Sequence, residues 1–556
     1  MDTNSSSNIE LGDISPQYPP IMHSALLIDE VLRNIFYLCS YYDRHRHTLV
    51  SASRSCKSWR DPALDLVWDH LTSFEPLLLL LPGVLVVGDE YVCLDFRPTD
   101  EVNLIYLQFL SRTIYPEDLV VFRSYARRVK HVSYRQEFKV HPTISRIFDH
   151  FLPPNANALP NIATIHISFP RCKGGFLPVH VSHSLRSLDF DLGFKVKTSE
   201  ADSLLCHFLG QVGASCPQLQ QINLRGFASQ RLNHILSTFT NLQTLSLRLR
   251  HSLSPVTLRT IMAFPRLLEL EVHAGHIEPH EFDDIIGLQD YIPFRLLSKL
   301  HLRAKAPLIQ TLIHHLQPNT LRHLHIDLED DIPSAASWAK IFESINDKAG
   351  SLIRLRLEHH FEIPDLRASA SADTIQNASY NSVVANYGKL YMNLAIMETL
   401  GNLKHLLHFV CDVTIPLVVS DKDIEKIVSW WPDIEHLDLG FVPEADEIGF
   451  AWPTQLTTAS LALFAEHCLK LKRLVLPLKL CDLSLPNAPT DNTPNNSLRS
   501  LAIAQLTTSQ PSEIATYLHN LFPYLTYLDT PFGGPETWTE TEEALCRLCL
   551  DSTDSN

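Results

Sequence analysis

The sequence predicts an α/β solenoid, a fold in which one helix and one parallel β-strand alternate in repeated units along most of the 556 residues. Three observations lead to this prediction. The phrase L-x-x-L-x-L, where L stands for any large apolar residue, recurs fourteen times. Neighbouring phrases are in several places 23 to 25 residues apart, which is the length of one strand plus one helix. An apolar residue and a proline often precede the phrase, and proline cannot continue the helix before it.

A three-helix module is predicted ahead of the repeats, at residues 23–73, after a disordered tail at residues 1–22. The segment His23–Cys39 places large apolar residues on two adjoining helical stripes. Asp61 and Pro62 are typical of a helix start, because the carboxylate caps free amides and proline fits the first turn. A module of about 50 residues cannot bury this many large apolar groups alone. We therefore expect some of them to face a partner.

The rest of the chain is divided by its fit to the repeat. Residues 74–125 are predicted to form a linker and a solenoid cap, and the repeats are expected to fill residues 126–545. Within the repeats, residues 366–388 and 482–497 are rich in Ser, Asn, Ala or Pro and are predicted to be exposed insertions. A C-terminal tail is expected at residues 546–556.

The repeat phrase also predicts which side chains each strand presents to the two faces of the sheet. Successive side chains of a strand point to opposite faces, so the leucines of a phrase are predicted to be buried and its third and fifth positions exposed. The phrases begin at Val129, Ile162, Leu185, Leu219, Leu242, Leu267, Leu297, Leu321, Leu352, Leu403, Ile434, Leu471, Leu498 and Leu525.

The composition argues against several classes of function. The chain carries 46 Lys and Arg against 62 Asp and Glu, and a net charge of -16 is unfavourable for general binding to nucleic acid. The longest apolar run, Pro76–Val87, is shorter than the ~20 residues that cross a bilayer, so no membrane role is expected. The sequence lacks the motifs of serine hydrolases, phosphate-binding loops and zinc peptidases. Neither catalysis nor a cofactor is therefore expected.

The cysteines bear on the compartment and on metal binding. Eleven cysteines without a framework spacing favour reduced thiols, and the predicted location is the cytoplasm, the nucleus or both. Cys546 and Cys549 form a lone C-x-x-C without a second pair, and no histidine spacing fits a ligand set, so no metal site is predicted.

Two family resemblances follow from these patterns. The phrase LIDEVLRNIF, followed after a gap by LVSASRSCKSWRDPALDLVWDHL, resembles the F-box, and its continuation is similar to a large group of fungal F-box proteins. The phrases over roughly residues 125–545 resemble the leucine-rich-repeat family. The two resemblances imply a short F-box followed by a curved leucine-rich-repeat solenoid, with parallel strands on the concave face and helices on the convex face.

The order of the two modules implies a non-catalytic, substrate-recognition subunit of an SCF (Skp–cullin–F-box) ubiquitin ligase. Its F-box would dock on a Skp-type adaptor and through that adaptor on a cullin. This chain has Ile28 where the family usually has proline. By matching positions, the expected adaptor-binding residues are Leu27, Ile28, Val31, Leu32, Ile35, Phe36, Trp59, Trp68 and Leu71.

The solenoid would bind an unknown target protein through the outward positions of its middle repeats. These positions form a polar stripe that is locally basic within an acidic chain. The competing interpretation of each residue is plain solvation, because outward strand positions are polar in any soluble sheet. The predicted target-binding residues are Arg225, Arg248, Glu269, Glu271, His273, Lys299, His301, Arg303, His323, His325, Arg354 and Arg356.

A second class of function stays open at this point. The chain would then be a leucine-rich-repeat scaffold or inhibitor that binds a partner without a ubiquitin role, and its N-terminal helices would be a solenoid cap. A cap packs its apolar face on the first repeat, whereas an F-box leaves that face open to the adaptor.

Overall fold

The computed structural model describes residues 28–39, 45–81, 84–87, 90–93, 115–134, 139–140, 157–168, 182–193, 199–285, 292–330, 335–360, 392–414, 417–440, 455–481, 497–507, 510–529 and 535–553. The predicted tail at 1–22, Leu27, the predicted insertion at 366–388 and residues 482–496 of the other insertion lie outside these ranges. The chain forms two compact units, Met1–Leu185 and Arg186–Asn556, and each is described by itself.

The first unit begins with three helices, α1 (Asp29–Cys39), α2 (His45–Ser55) and α3 (Lys57–Asp69). Their shared core consists of Leu32, Phe36, Leu49 and Ala63. Trp59 packs against this core, and its ring centroid lies 5.8 Å from that of Phe36 in an edge-to-face arrangement.

The predicted start of the third helix at Asp61 and Pro62 is wrong, because α3 begins at Lys57 and Pro62 lies inside it. Cys56 has an extended backbone and separates α2 from α3, and the amide of Trp59 donates to its carbonyl at 3.2 Å. A proline at the sixth helical residue removes one backbone hydrogen bond. The packing of Trp59 against the core stabilises the first turn of α3, which precedes Pro62.

The helical module continues into a β-sheet without a linker. Strand β1 (His70–Leu71) follows α3 directly and pairs in parallel with β4 (His131–Tyr134), which pairs in parallel with β6 (Thr164–Ser168). The sheet therefore begins inside the range predicted for the helical module, ahead of the first repeat phrase. Further elements of this unit are α4 (Glu75–Leu78), a 3-10 turn (Pro116–Asp118), α5 (Leu119–Ala126), and a small sheet of β2 (Val84–Val87), β3 (Glu90–Cys93) and β5 (Lys139–Val140).

The second unit contains twelve strands among its described residues, all parallel and paired in the order of the sequence. They are β7 (Ser187–Gly193), β8 (Gln221–Gly226), β9 (Thr244–Arg248), β10 (Glu269–His273), β11 (Lys299–Ala304), β12 (His323–Leu328), β13 (Arg354–His359), β14 (His408–Val413), β15 (His436–Asp438), β16 (Arg473–Cys481), β17 (Ser500–Thr507) and β18 (Tyr527–Asp529).

Helices connect most of these strands. They are α6 (Ser199–Ser215), α7 (Gln230–Leu236), α8 (Pro255–Met262), α9 (Ala306–His314), α10 (Ala335–Lys348), α11 (Leu394–Met397), α12 (Asp421–Trp430), α13 (Thr458–His467), α14 (Pro511–Leu521) and α15 (Pro535–Thr553), with 3-10 helices at Pro279–Ile285 and Glu398–Asn402. One helix and one parallel strand in regular alternation confirm the predicted α/β solenoid class.

Each of the fourteen repeat phrases forms a strand, and thirteen of these strands begin at the third position of their phrase. The exception is the phrase placed at Leu403, where the strand begins five residues later at His408. Leu406, Phe409 and Cys411 are buried there, so the phrase in fact begins at Leu406, three residues after Leu403. Leu403 is also buried, which is why the phrase could be placed there.

One glycine is required by the backbone at the end of strand β8. Gly226 has φ +118°, a conformation that L side chains rarely adopt, and a Cβ there would collide with the backbone of Gly193.

At the C-terminus the predicted tail from residue 546 is wrong, because α15 runs through Thr553 and buries Leu545 one residue before the predicted break.

Candidate functional site

The outward positions of the second unit line up across neighbouring strands because the strand register is continuous. We call this surface the open face; its side chains alternate with the buried leucines, as in β12, where His323, His325 and Asp327 are part-exposed between Leu324 and Ile326. In parallel strands, equivalent positions are about 4.8 Å apart from one strand to the next. Residues remote in sequence are thereby brought side by side.

The third positions of six successive phrases form what we call the basic row. Each member is paired in register with the next, and none is acidic. The basic row consists of Lys299, His323, Arg354, His408, His436 and Arg473.

The fifth positions of the middle strands carry a second group, in register as Glu271, His301, His325 and Arg356. The imidazole rings of His301 and His325 stack with centroids 3.8 Å apart and planes 12° apart. We call Glu271, His273, His301 and His325 the central cluster. The ring centroid of His273 lies 6.0 Å from that of His301.

Glu271 is the anionic member of the central cluster and is saturated with donors. Arg248 Nε and Nη2 donate to its two carboxylate oxygens at 2.7 and 3.1 Å, and Ser246 Oγ donates at 2.6 Å. His301 Nδ1 lies 3.1 Å from Glu271 Oε1. Burial alone would raise the pKa of this carboxyl, but the hydrogen bonds from His301, Arg248 and Ser246 lower the pKa below its ordinary value.

Two histidines of the central cluster are neutral at pH 7. Burial, aided by the charge of Arg303, lowers the pKa of His273 to about 4. Burial and the neighbouring His301 lower the pKa of His325 to about 4. His325 Nε2 lies 3.2 Å from Glu358 Oε1, but a neutral imidazole makes this contact a polar one and not an ion pair at neutral pH.

Glu271, His273 and His301 also place three potential metal ligands within 4.8 Å of one another. Sequence spacing missed this grouping because the residues come from two strands. A cation at this position would have to displace the Arg248 guanidinium from the carboxylate, and Arg303 adds a second positive charge close by. The geometry therefore favours a network of ion pairs and hydrogen bonds over a metal centre.

Most cations on the open face are paired with carboxylates. Lys299 Nζ lies 2.6 Å from Glu269, Arg303 Nε lies 2.6 Å from Glu329, and Arg356 contacts both Glu358 and Asp412. Arg354 and Arg473 differ, because neither forms an ion pair with any described residue. Both side chains are exposed, so the basic row offers two fixed positive charges to solvent.

The structure places all twelve predicted target-binding residues on strands β8 to β13, and in-register pairing brings most of them into contact with one another. Arg225 is exposed on β8 beside Arg248 in the register. Sequence reasoning missed His408, His436 and Arg473. His436 and Arg473 occupy the third position of their phrases, so the same rule could have found them. His408 could not be found in this way, because the phrase was placed at Leu403.

The predicted adaptor-binding residues divide by burial. Ile28 just before α1 and Ile35 on it are exposed at 49 % and 37 %. Two residues of α1 that were not among the expected adaptor-binding residues, Tyr37 and Leu38, are exposed at 53 % and 63 %. Val31 is half-buried. The buried ones are Leu32, Phe36 and Leu71, and the half-buried ones in contact with the rest of the first unit are Trp59 and Trp68.

Helix α3 is tied to the remainder of the first unit by its charged face. Arg128 Nη2 donates to Asp61 at 2.6 Å, and Arg128 also pairs with Asp65. Lys130 Nζ lies 2.8 Å from Asp69. The Trp68 ring lies 4.7 Å from that of Tyr125 on α5. One end of the helical module is thus anchored, while the outer side of α1 carries exposed apolar residues.

No protein-family model and no curated protein matches this chain. Among solved structures, a crystal structure of a TLR13–ssRNA13 complex is similar at 13% identity and a TM-score of 0.36, over 73% of this chain and 54% of that one. This chain thus spans about half the length of that relative. The leucine-rich repeat-containing protein LegL7 from Legionella pneumophila is similar at 12% identity and a TM-score of 0.28, over 66% of this chain and 92% of that one.

Likenesses of this degree indicate no ligand, and the α/β solenoid assignment rests on the parallel strands and their connecting helices. Among the described residues, no helix combines the length and apolar character needed to cross a membrane.

Proposed function

We propose that this chain is a non-catalytic recognition subunit of an SCF-type ubiquitin ligase. Its helical module would dock on a Skp-type adaptor, and through it a cullin, while the open face of the repeats binds a target protein. The chain would then act in the cytoplasm or nucleus by holding a target close to a ubiquitin-conjugating enzyme.

The observation that carries this proposal is the group of large apolar side chains exposed at the start of α1 and along it. Ile28, which immediately precedes α1, and Ile35 and Leu38 on that helix are each more than a third exposed. Leu32 and Phe36 on the same helix already fill the module core. A helix with one apolar face buried and further large apolar residues exposed is typical of a docking element. The resemblance of this segment to the F-box supports a Skp-type adaptor as that partner.

The competing proposal is a scaffold whose three helices only cap the solenoid. It is favoured by the way α3 runs into β1 and by the ion pairs of Arg128 and Lys130 with α3. These contacts explain how α3 is attached to the rest of the first unit, but they give no role to the exposed apolar residues of α1. Removal of residues 1–72 would not separate the two proposals, because it would also remove β1.

Point variants on α1 separate them. Ile35→Asp and Leu38→Asp place charges on the exposed side of α1, so capture of a purified Skp-type adaptor by the full chain should fall by at least about tenfold in each. Val120→Asp is the matched control, because Val120 is 61 % exposed on α5 of the same unit. It should leave capture unchanged. Failure of the folded wild-type chain to capture adaptor would sink the ligase proposal and leave the scaffold.

A further inference from the structure

We propose that the basic row binds an extended acidic segment of a partner protein, an inference that rests on the proposed target-binding role of the open face. The basic row is opposite in charge to the chain as a whole. The whole chain carries a net charge of -16, yet six in-register positions from β11 to β16 hold only Lys, His and Arg. A local basic surface on an acidic protein attracts acidic ligands.

Arg354 and Arg473 are the fixed charges that such a ligand would engage. Each is exposed and forms no ion pair with a described residue. Asp438 senses the charge of Arg473, but its pKa is raised by burial and its side chain is not paired with that arginine. An arginine that is left without a carboxylate partner presents a planar set of donors that fits an incoming carboxylate.

The spacing of the two arginines matches an extended peptide. They stand three strands apart, which is about 14 Å at the usual strand separation. An extended chain rises about 3.3 Å per residue, so acidic groups roughly four residues apart would reach both arginines. The full row spans about 24 Å, the length of about seven extended residues.

The three histidines of the basic row supply donors without extra charge. Burial and the charge of Arg354 lower the pKa of His323 and His408, and burial and the charge of Arg473 lower the pKa of His436 to about 4. Neutral imidazoles still donate one N–H each. With two unpaired fixed cations and a strongly acidic chain, the row fits a short acidic peptide better than a polyphosphate backbone, whose binding needs many cations.

The test measures fluorescence anisotropy of a labelled octaglutamate peptide with the purified full chain at low ionic strength. Saturable binding is expected, and the double variant Arg354→Gln, Arg473→Gln should weaken it by about tenfold or more. The matched control is Lys340→Gln, Lys426→Gln, which removes two exposed charges from helices α10 and α12. It should change the affinity less than about twofold.

Three outcomes would overturn the inference: no binding of octaglutamate by the folded wild-type chain, equal weakening by both double variants, or tighter binding of a single-stranded RNA octamer than of octaglutamate. The variant Arg354→Lys, Arg473→Lys guards against loss of folding and should retain most of the binding. Adaptor capture measured on the same samples keeps the two proposals apart. Capture without peptide binding would overturn this inference alone, and peptide binding without capture would overturn the ligase proposal alone.

Discussion

At the scale of single residues, a buried polar side chain that the hydrophobic pattern does not reveal joins two neighbouring repeats. Asn233 on α7 is 3 % exposed. Its Nδ2 donates to the carbonyls of Ser229 and Ser252 at 3.0 and 2.8 Å, and its Oδ1 accepts from the amide of Ser254 at 2.9 Å. The side chain thus joins its own repeat to the backbone of the next.

Asn233→Ala should destabilise the second unit, because it leaves buried backbone groups of the next repeat without partners. The expected loss in the free energy of unfolding is about 2 to 4 kcal/mol. Chemical denaturation measures it, with Asn241→Ala as the control, since Asn241 is exposed. Equal midpoints for the two variants would show that Asn233 does not join the repeats.

The histidines of the central cluster should make stability depend on pH. The pKa of His273 and of His325 is lowered to about 4 by burial, from an ordinary value of 6.5. Between these values the unfolded chain takes up protons that the folded chain does not. Their contribution to stability is therefore fully present above pH 6.5 and is lost as the pH falls towards 4.

Thermal unfolding checks this sign. The Tm of the wild-type chain should fall between neutral pH and about pH 5, and the double variant His273→Gln, His325→Gln should fall less over the same interval. Parallel Tm profiles for the two proteins would mean that these histidines titrate in the folded chain as they do in the unfolded one.

At the scale of elements, the repeat phrase predicted strands well because one geometric rule connects sequence to burial. The alternation of leucines fixes both the strand and the face that it buries, so thirteen strands begin where their phrases predict. Strand β14, whose phrase was placed three residues too early, shows where this rule fails. Leu403 and Leu406 are both buried, and only the pairing of His408 with Arg354 selects between them.

Helix starts were harder to predict, because a local signal competed with packing. Asp61 and Pro62 fit a first turn, yet the contact of Trp59 with Phe36 extends α3 by four residues towards the N-terminus. The central cluster was also only partly predictable. Its members were found one by one on the outward positions, but the stacking of His301 on His325 depends on the register of β11 with β12.

A substitution of Trp68 tests how the helical module is anchored to the rest of the first unit. Trp68 is half-buried and its ring lies 4.7 Å from that of Tyr125, so Trp68→Ala should cost about 1 to 3 kcal/mol, less than a fully buried tryptophan. Denaturation of the full chain, followed by a probe in the first unit, measures the loss. Tyr115→Ala is the control, since Tyr115 is exposed. A wild-type midpoint for Trp68→Ala would mean that the ion pairs of Arg128 suffice to hold α3.

At the scale of the whole molecule, two surfaces differ in chemistry and lie in different units. Helix α1 exposes several large apolar side chains, whereas the open face of the repeats is polar and carries the basic row. Apolar burial suits a stable assembly, and a charged surface suits selection among partners. The proposed recognition subunit would use the first surface for assembly and the second for target selection. The sequence predicted this division of roles through the order of its two modules, but it could not predict which charges pair, because pairing depends on strands remote in sequence.

Calorimetric titration of a purified Skp-type adaptor into the full chain tests the central proposal most directly. A docking module of this kind predicts one-to-one, saturable binding with a negative heat-capacity change, as expected for burial of apolar surface. The variant Leu38→Asp should weaken that binding by at least about tenfold while leaving the Tm unchanged. Absence of binding by the folded wild-type chain would contradict the account and would identify the helices as a cap of the solenoid.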